Sequence, residues 1–301
     1  MVARASGRAD SIRHVPQDLY THGVRLATGL QDLDGPDINP ACHTRLYLHG
    51  HRTKHALVLL HGFTNCPQQF DALGRQFHAN GWNVLIPRYP CHGYADRLNT
   101  SISELRSDHL VAIANRSADA ARGLGEHLTV AGLSLGGVLA AHLAQAHDQI
   151  DRAVLIAPMF GLKSIPGPML PVVSALAYRL PNFFIWWDSK LREGLGPPHG
   201  YPRFATHAYA ALFKTAGGVL KASKASRPKA PEIAVITNAN EPGLDNRFTD
   251  RLVEAWRSHG AQVSTYQFPI GQHLPHDLID PANPEQKTEL VYPIVSRMIS
   301  G

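Results

Sequence analysis

Cysteine is scarce in this chain. Cys42, Cys66 and Cys91, three among 301 residues, are too few and too widely spaced for a zinc ribbon or a disulfide framework and allow one disulfide at most. Excess charge is equally scarce: 29 lysines and arginines face 24 acidic residues, and the net charge of +5 is spread without a run of like charges. Nothing therefore points to nucleic acid. No apolar stretch approaches the roughly 18 residues needed to cross a bilayer. Met1 to Asp10 also lack the apolar segment of a secretory signal. The expectation is a soluble, cytoplasmic protein. The 18 histidines are scattered, and the one close pair, His49 and His51, has no carboxylate beside it, so no metal is expected.

What is present suits a buried core. Hydrophobic residues make up 44% and charged residues 18% of the chain, close to globular averages. The length admits two domains of about 150 residues, although single α/β domains reach it as well. Residues 1–43 show no sustained period and carry Pro16, Gly35-Pro36 and Asn39-Pro40, which predicts an N-terminal arm with one short strand. From Thr44 a rhythm begins. Thr44 to Leu48 alternates, Ala56 to Leu60 reads as a strand, and Phe70, Leu73 and Phe77 mark a helix that stops at Asn80-Gly81. Asn83 to Pro87, Leu128 to Ala131 and Ala153 to Ala157 follow as strands, with helices predicted over Leu105 to Ala121 and Leu135 to Ala146. Such alternation predicts a mostly parallel sheet covered on both faces.

The rhythm lapses between Phe160 and Arg227, where Pro166, Pro168, Pro171, Pro181, Pro197, Pro198 and Pro202 break the chain into short pieces. Ten of the 23 aromatic residues lie between Phe160 and Phe213, and residues 160–227 read as an inserted lid. The rhythm then returns with Ile233 to Thr237, Phe248 to Ser258, Gln262 to Phe268 and a last helix from about Pro284 to Ile299. Residues 44–159 and 228–301 thus form the predicted core.

Gly132-Leu133-Ser134-Leu135-Gly136 lies directly after a predicted strand and directly before a predicted helix. A serine on so sharp a turn presents its hydroxyl above the sheet, and the flanking glycines remove side chains that would collide there. The bland alternative is a glycine-rich turn with an idle serine. His61-Gly62-Phe63 ends the strand Ala56 to Leu60 and suggests an oxyanion hole. The backbone amides of Phe63 and Leu135 would supply its two donors, the second strengthened by a helix N-terminus. Read for structure alone, His-Gly is a turn.

With His61-Gly62-Phe63-Thr64, Gly132-Leu133-Ser134-Leu135-Gly136-Gly137 and the lid in this order and spacing, the chain resembles the α/β-hydrolase fold family of serine hydrolases. The likeness is to carboxylesterases and monoglyceride-lipase-like enzymes above all, and it runs from about Thr44 to Ile299. It implies a catalytic triad in the order serine, acid, histidine, with no cofactor. The family frame of an aspartate, two residues, then an aliphatic is filled by Glu241 and Leu244, with glutamate in place of the commoner aspartate. Asp245 is the alternate acid. For the base, His276 precedes an acidic residue and two aliphatics, whereas His273 fits the form glycine, one residue, histidine. His276 is preferred and His273 kept as the alternate. Cys66 and Cys91 both border the expected cleft, yet neither has the glycine pattern of a nucleophile elbow, so each is expected to be a buried small hydrophobe.

Residues and resemblance together give a serine carboxylic-ester hydrolase acting through an acyl-enzyme on small to medium apolar esters. Ser134 attacks, His276 serves as base and then acid, Glu241 or Asp245 orients it, and the Phe63 and Leu135 amides hold the oxyanion. Trp186 and Trp187 are candidates to line the substrate pocket. The alternatives are a lipase or monoacylglycerol-type enzyme, a thioesterase, peptidase or acyltransferase, a catalytically silent ligand-binding member, and a lipase that docks on membranes through its lid. The oligomeric state is not encoded in these patterns.

Overall fold

Parallel strands covered on both faces read as near-continuous apolar runs, and the segments ending at Leu60, Leu133 and Ile156 are such runs. The computed structural model describes residues 15–301 apart from 167, 168, 170, 171, 173, 174, 177 and 195. Its strands are β1 (Arg45–Tyr47), β2 (Thr53–Leu60), β3 (Asn83–Ile86), β4 (Gly125–Leu133), β5 (Arg152–Ile156), β6 (Phe184–Trp186), β7 (Arg203–Ala205), β8 (Glu232–Asn238) and β9 (Gln262–Phe268). Seven of them form one sheet in the order β1-β3-β2-β4-β5-β8-β9, while β6 and β7 pair separately. Every neighbouring pair in the large sheet is parallel except β1 with β3. The sheet is mostly parallel, as the alternation of strands and helices predicts, and the strand order places β4 at its centre.

Side chains alternate between the faces of a strand, and the two faces carry separate cores. On one, Val58, Leu60, Leu155 and Val235 pack under helices α1 (Val15–Gln31), α3 (Ser107–Leu124), α4 (Leu135–Ala146), α5 (Thr206–Ala225) and α6 (Asn246–Ser258). On the other, Leu57, Leu59, Val154 and Ile156 pack under α2 (Asp71–Ala79) and α7 (Thr288–Ser300). A fully buried Leu or Ile contributes about 1.5–3 kcal/mol, so this two-sided burial holds the strand ends, and the loops leaving them, in fixed register.

Two regions differ from the sequence-based expectation. Residues 1–14 lie outside the described residues, but Val15–Gln31 is a 17-residue helix rather than an arm with a strand. Its buried side, Tyr20, Ala27 and Leu30 with the partly buried Val24, is a narrow stripe among polar residues, too thin to register as a period. The helix lies close against α3: a Cβ on Gly23 would stand 2.9 Å from the Gly123 Cα. The second difference is α5, which begins soon after Pro202, the last proline of the broken stretch, and runs for 20 residues. Ala208, Leu212, Ala216 and Val219 on it are buried in the first core. The helix therefore belongs to the layer covering the sheet, and the irregular part of the β5–β8 connection ends near Ala205. Pro168 and Pro171 fall outside the described residues. Among the described residues no helix is long and apolar enough to cross a membrane.

Cys66 is not the free buried thiol that its setting suggested. It forms a disulfide with Cys42, with Cα atoms 5.1 Å apart, and so ties the loop after β2 to the 3-10 turn Pro40–Cys42. Cys91 is free and half-buried.

Candidate active site

Because β2, β4, β5, β8 and β9 are parallel, their C-terminal ends share one edge of the sheet, where ligands gather in open α/β folds. Ser134 stands there between β4 and α4, with φ 58° and ψ −112°. A non-glycine residue in this region costs on the order of 1–3 kcal/mol and persists only where its surroundings over-determine it. Here the Ser134 amide donates to Ile156 O (2.9 Å) and its carbonyl accepts from Met159 N (3.2 Å). The glycines around it are required by close approach: a Cβ on Gly132 would lie 2.2 Å from Gly136 O, and one on Gly136 would lie 1.9 Å from Leu60 O. Gly132 and Gly136 thus let the turn fold back against the end of β2.

Glu241 follows β8 and is 3% exposed. Its Oε1 accepts from the amides of Gly243 (3.3 Å) and Leu244 (3.4 Å), and its Oε2 meets Nδ1 of His276 at 2.8 Å. Burial alone would lift this carboxyl, but the His276 charge and these hydrogen bonds outweigh it and hold the group below its ordinary value. His276 shows the counterpart: burial disfavours its charge, Glu241 favours it, and the net effect is a raised imidazole pKa. Of the two acid candidates, Asp245 is engaged elsewhere. It caps α6 by accepting from Arg247 N (3.1 Å) and pairs with the Arg247 guanidinium. Of the two histidines, His273 is exposed on a left-handed turn with φ 48°. The structure thus brings Glu241 and His276 together and leaves Asp245 and His273 outside that pair.

Several residues that shape this edge escaped the sequence reading. Asn238 at the end of β8 donates to Leu274 O (3.0 Å) and Pro275 O (3.2 Å), and Asn240 donates to Leu274 O (3.1 Å), so two amides fasten the loop that carries His276. Lys163 donates through Nζ to Glu241 O and through its backbone amide to Gly243 O. The pair of asparagines beside Glu241 was a visible signal, but which carbonyls they reach depends on a loop 36 residues away.

Phe63 and Leu135 lie at the same edge. Leu135 is the first residue of α4, one of the four whose amides have no partner within a helix. Phe63 is nearly buried, and its ring stands edge-on to Trp187 with centroids 6.0 Å apart. Phe204 and Tyr209 complete this aromatic group. Trp187 also donates from Nε1 to Thr64 Oγ1 (2.8 Å). Trp186, one residue earlier on β6, instead lies beneath the Arg192 guanidinium. His61 is fully buried and stacked on Tyr89, and burial pushes its imidazole well below its ordinary pKa. It donates from Nδ1 to Gly62 O (2.9 Å) and accepts at Nε2 from Tyr89 N (3.4 Å), the pattern of a neutral structural ring.

Residues 51–211 match the family model described as serine aminopeptidase, S33. A thermostable monoacylglycerol lipase of Bacillus sp. (strain H-257) is 29% identical over 115 residues, which make up 38% of this chain and 44% of that one. The match therefore spans less than half of that relative's length. Among solved structures, one from the work on LipS and LipT, two metagenome-derived lipolytic enzymes, superposes with a TM-score of 0.67 at 16% identity, covering 87% of this chain and 99% of its own. The monoacylglycerol lipase of Paleococcus ferrophilus gives 0.62 at 17% identity, covering 86% and 98%. A soluble variant of monoglyceride lipase from Saccharomyces cerevisiae gives 0.64 at 13% identity, covering 86% and 90%. At such identities the likeness is one of fold.

Proposed function

Since the chain belongs to the serine aminopeptidase S33 family of α/β hydrolases, we propose that it is a serine hydrolase of carboxylic esters. The observation that carries this reading is the strained Ser134 on the same sheet edge as the pair of the buried Glu241 with the partly exposed His276. In this reaction His276 gives its Nδ1 proton to the bond with Glu241, which leaves Nε2 free to take the Ser134 proton as Oγ attacks the acyl carbon. The Phe63 and Leu135 amides receive the oxyanion. The alcohol departs with the proton from His276, and a water deprotonated by the same nitrogen then releases the acid from Ser134.

An aminopeptidase would need a free carboxylate to hold the substrate ammonium. Among the described residues, four acids that follow β8 and β9 are committed: Glu241 to His276, Asp245 to Arg247, Asp277 to Gln69 and Asp280 to His199. That pattern favours an ester over a peptide. The aromatic group of Phe63, Trp187, Phe204 and Tyr209 favours an apolar acyl portion of small to medium size, with residues 160–205 acting as a lid. Exposed Val172, Leu176, Leu180, Phe183 and Ile185 in that stretch support a second reading, a monoacylglycerol-type lipase drawn to lipid.

Labelling with a fluorophosphonate followed by peptide mapping tests the nucleophile. The label is expected on Ser134, and Ser134→Ala should abolish both labelling and turnover of p-nitrophenyl esters while leaving the circular dichroism unchanged. A label on another residue, or half the parental rate in the variant, refutes the assignment. Faster cleavage of aminoacyl anilides than of esters would move the reading to a peptidase.

A further inference from the structure

Beside the triad candidates lies a buried glutamine whose amide joins two of the loops at the sheet edge. Gln69 sits on the 3-10 turn Pro67–Phe70 and is 2% exposed. Its Oε1 accepts from Gly62 N (2.7 Å) and its Nε2 donates to Asp277 Oδ2 (2.7 Å). The orientation of the amide is fixed by its partners, because a backbone N–H can only donate and a carboxylate can only accept. Gly62 directly precedes Phe63, and Asp277 directly follows His276.

The neighbouring peptide plane shows what this bridge can control. In a trans peptide the N–H of Phe63 points opposite to the carbonyl of Gly62. That carbonyl accepts from His61 Nδ1 (2.9 Å) and Asn65 N (3.2 Å), so the direction of the Phe63 N–H is held from behind. Gln69 holds the other side of Gly62. On the second loop, Asp277 Oδ1 accepts from the amides of Ile279 and Asp280, both at 3.1 Å, which makes the carboxylate a rigid post beside His276. Asn65 Nδ2 reaches the same Asp277 oxygen at 3.5 Å, so Gln69 makes the shorter of two side-chain links between the loop of the candidate oxyanion donor and the loop of the candidate base.

We propose that Gln69 is a positioning residue for ester hydrolysis, registering the Phe63 amide against His276 through its bridge from Gly62 to Asp277. The inference rests on the ester-hydrolase reading above. It can be tested by exchanging donor and acceptor across the bridge. Gln69→Glu keeps an acceptor for Gly62 N–H but sets a carboxylate against Asp277. In Asp277→Asn, the Ile279 and Asp280 amides keep the side-chain oxygen turned toward them, so its NH2 faces that of Gln69. In the double variant Gln69→Glu/Asp277→Asn the carboxylate accepts from the new amide, and the bridge re-forms with its polarity reversed.

Each single variant is expected to lower kcat by about 10- to 100-fold with KM nearly unchanged, the scale of a small misplacement of reacting groups. The double variant should return to within about fivefold of the parent, a coupling that additive structural damage does not produce. Fluorophosphonate labelling rates at Ser134 should follow the same order. If one single variant does not fold, the other supplies the comparison with the double. Single variants with parental kcat, or a double variant as slow as the slower single, overturn the proposal. Turnover that survives in Ser134→Ala would instead remove the ester-hydrolase reading itself, so the two failures are distinguishable.

Discussion

Glu241→Gln should do two things at once, and both follow from the bonds around it. The amides of Gly243 and Leu244 donate to Oε1, so in the variant the side-chain oxygen stays with them and the NH2 turns to His276. Nδ1 must then accept, and the imidazole proton moves to Nε2, the atom required to take the serine proton. A comparable exchange of tautomer in a serine protease triad costs about 10⁴-fold in kcat, and a loss on the order of 10³- to 10⁴-fold is expected here. The second effect is on pH dependence. Glu241 raises the His276 pKa, so below that pKa the base is protonated and idle, and activity climbs as pH passes through it. Without the Glu241 charge, the larger effect of burial outweighs the remaining Asp277 charge and disfavours the charged ring, so the acid limb moves to lower pH. Profiles of kcat/KM from about pH 4 to about pH 9, measured on a p-nitrophenyl ester, read both effects together. A loss under tenfold, or an acid limb that stays put or moves upward, refutes the reasoning.

The remaining predictions concern neighbouring positions. His276→Ala should lower kcat on the order of 10³-fold, whereas the exposed His273→Ala should change it little; the reverse ranking in steady-state assays would transfer the role to His273. Trp187→Ala should raise KM for hexanoate esters more than for acetate esters, since each buried methylene contributes about 0.8 kcal/mol, while Trp186→Ala leaves the chain-length profile unchanged; equal profiles for both variants would refute an acyl wall at Trp187. Replacing Cys42 and Cys66 by serine opens a link with a sequence separation of 24 and should cost about 3 kcal/mol, visible as a lower midpoint in urea; an unchanged midpoint counts against it. Gly136→Ala sets a methyl against the Leu60 carbonyl and should prevent soluble expression, and a well-folded variant would show that the turn can open.

The parts of this molecule that were legible from sequence are those governed by local periods. α4 and β9 have the bounds that their periodicity indicates, and the turn at Ser134 follows from two glycines whose missing side chains the packing demands. The N-terminal helix was hidden because its buried stripe is narrow and relies on a glycine contact with α3. Helix α5 was hidden because a run of prolines before it suggested that the disorder of elements continued. At the candidate site, spacing draws attention to Glu241 and His276, and what sets Asp245 and His273 apart is local geometry that the motif spacing does not carry: the pairing of Asp245 with Arg247 two residues on, and a left-handed turn that exposes the His273 ring. Asn238 and Asn240 bond backbone carbonyls and Gln69 bonds a backbone amide and a carboxylate 208 residues away, and no residue pattern records which group a polar side chain will reach.

Thr64 joins the β5–β8 connection to the loop beside Phe63. It holds a left-handed backbone with φ 62°, receives the Tyr201 amide on its carbonyl (2.7 Å) and the Trp187 indole on its hydroxyl. For anyone re-engineering substrate preference, the connection is therefore not an interchangeable module. A graft that brings new pocket walls but omits partners for Thr64 would release the residue next to Phe63 and slow turnover of every substrate alike. Transplants that retain a tryptophan at 187 and the Tyr201 backbone contact should change selectivity while leaving the rate on small esters intact.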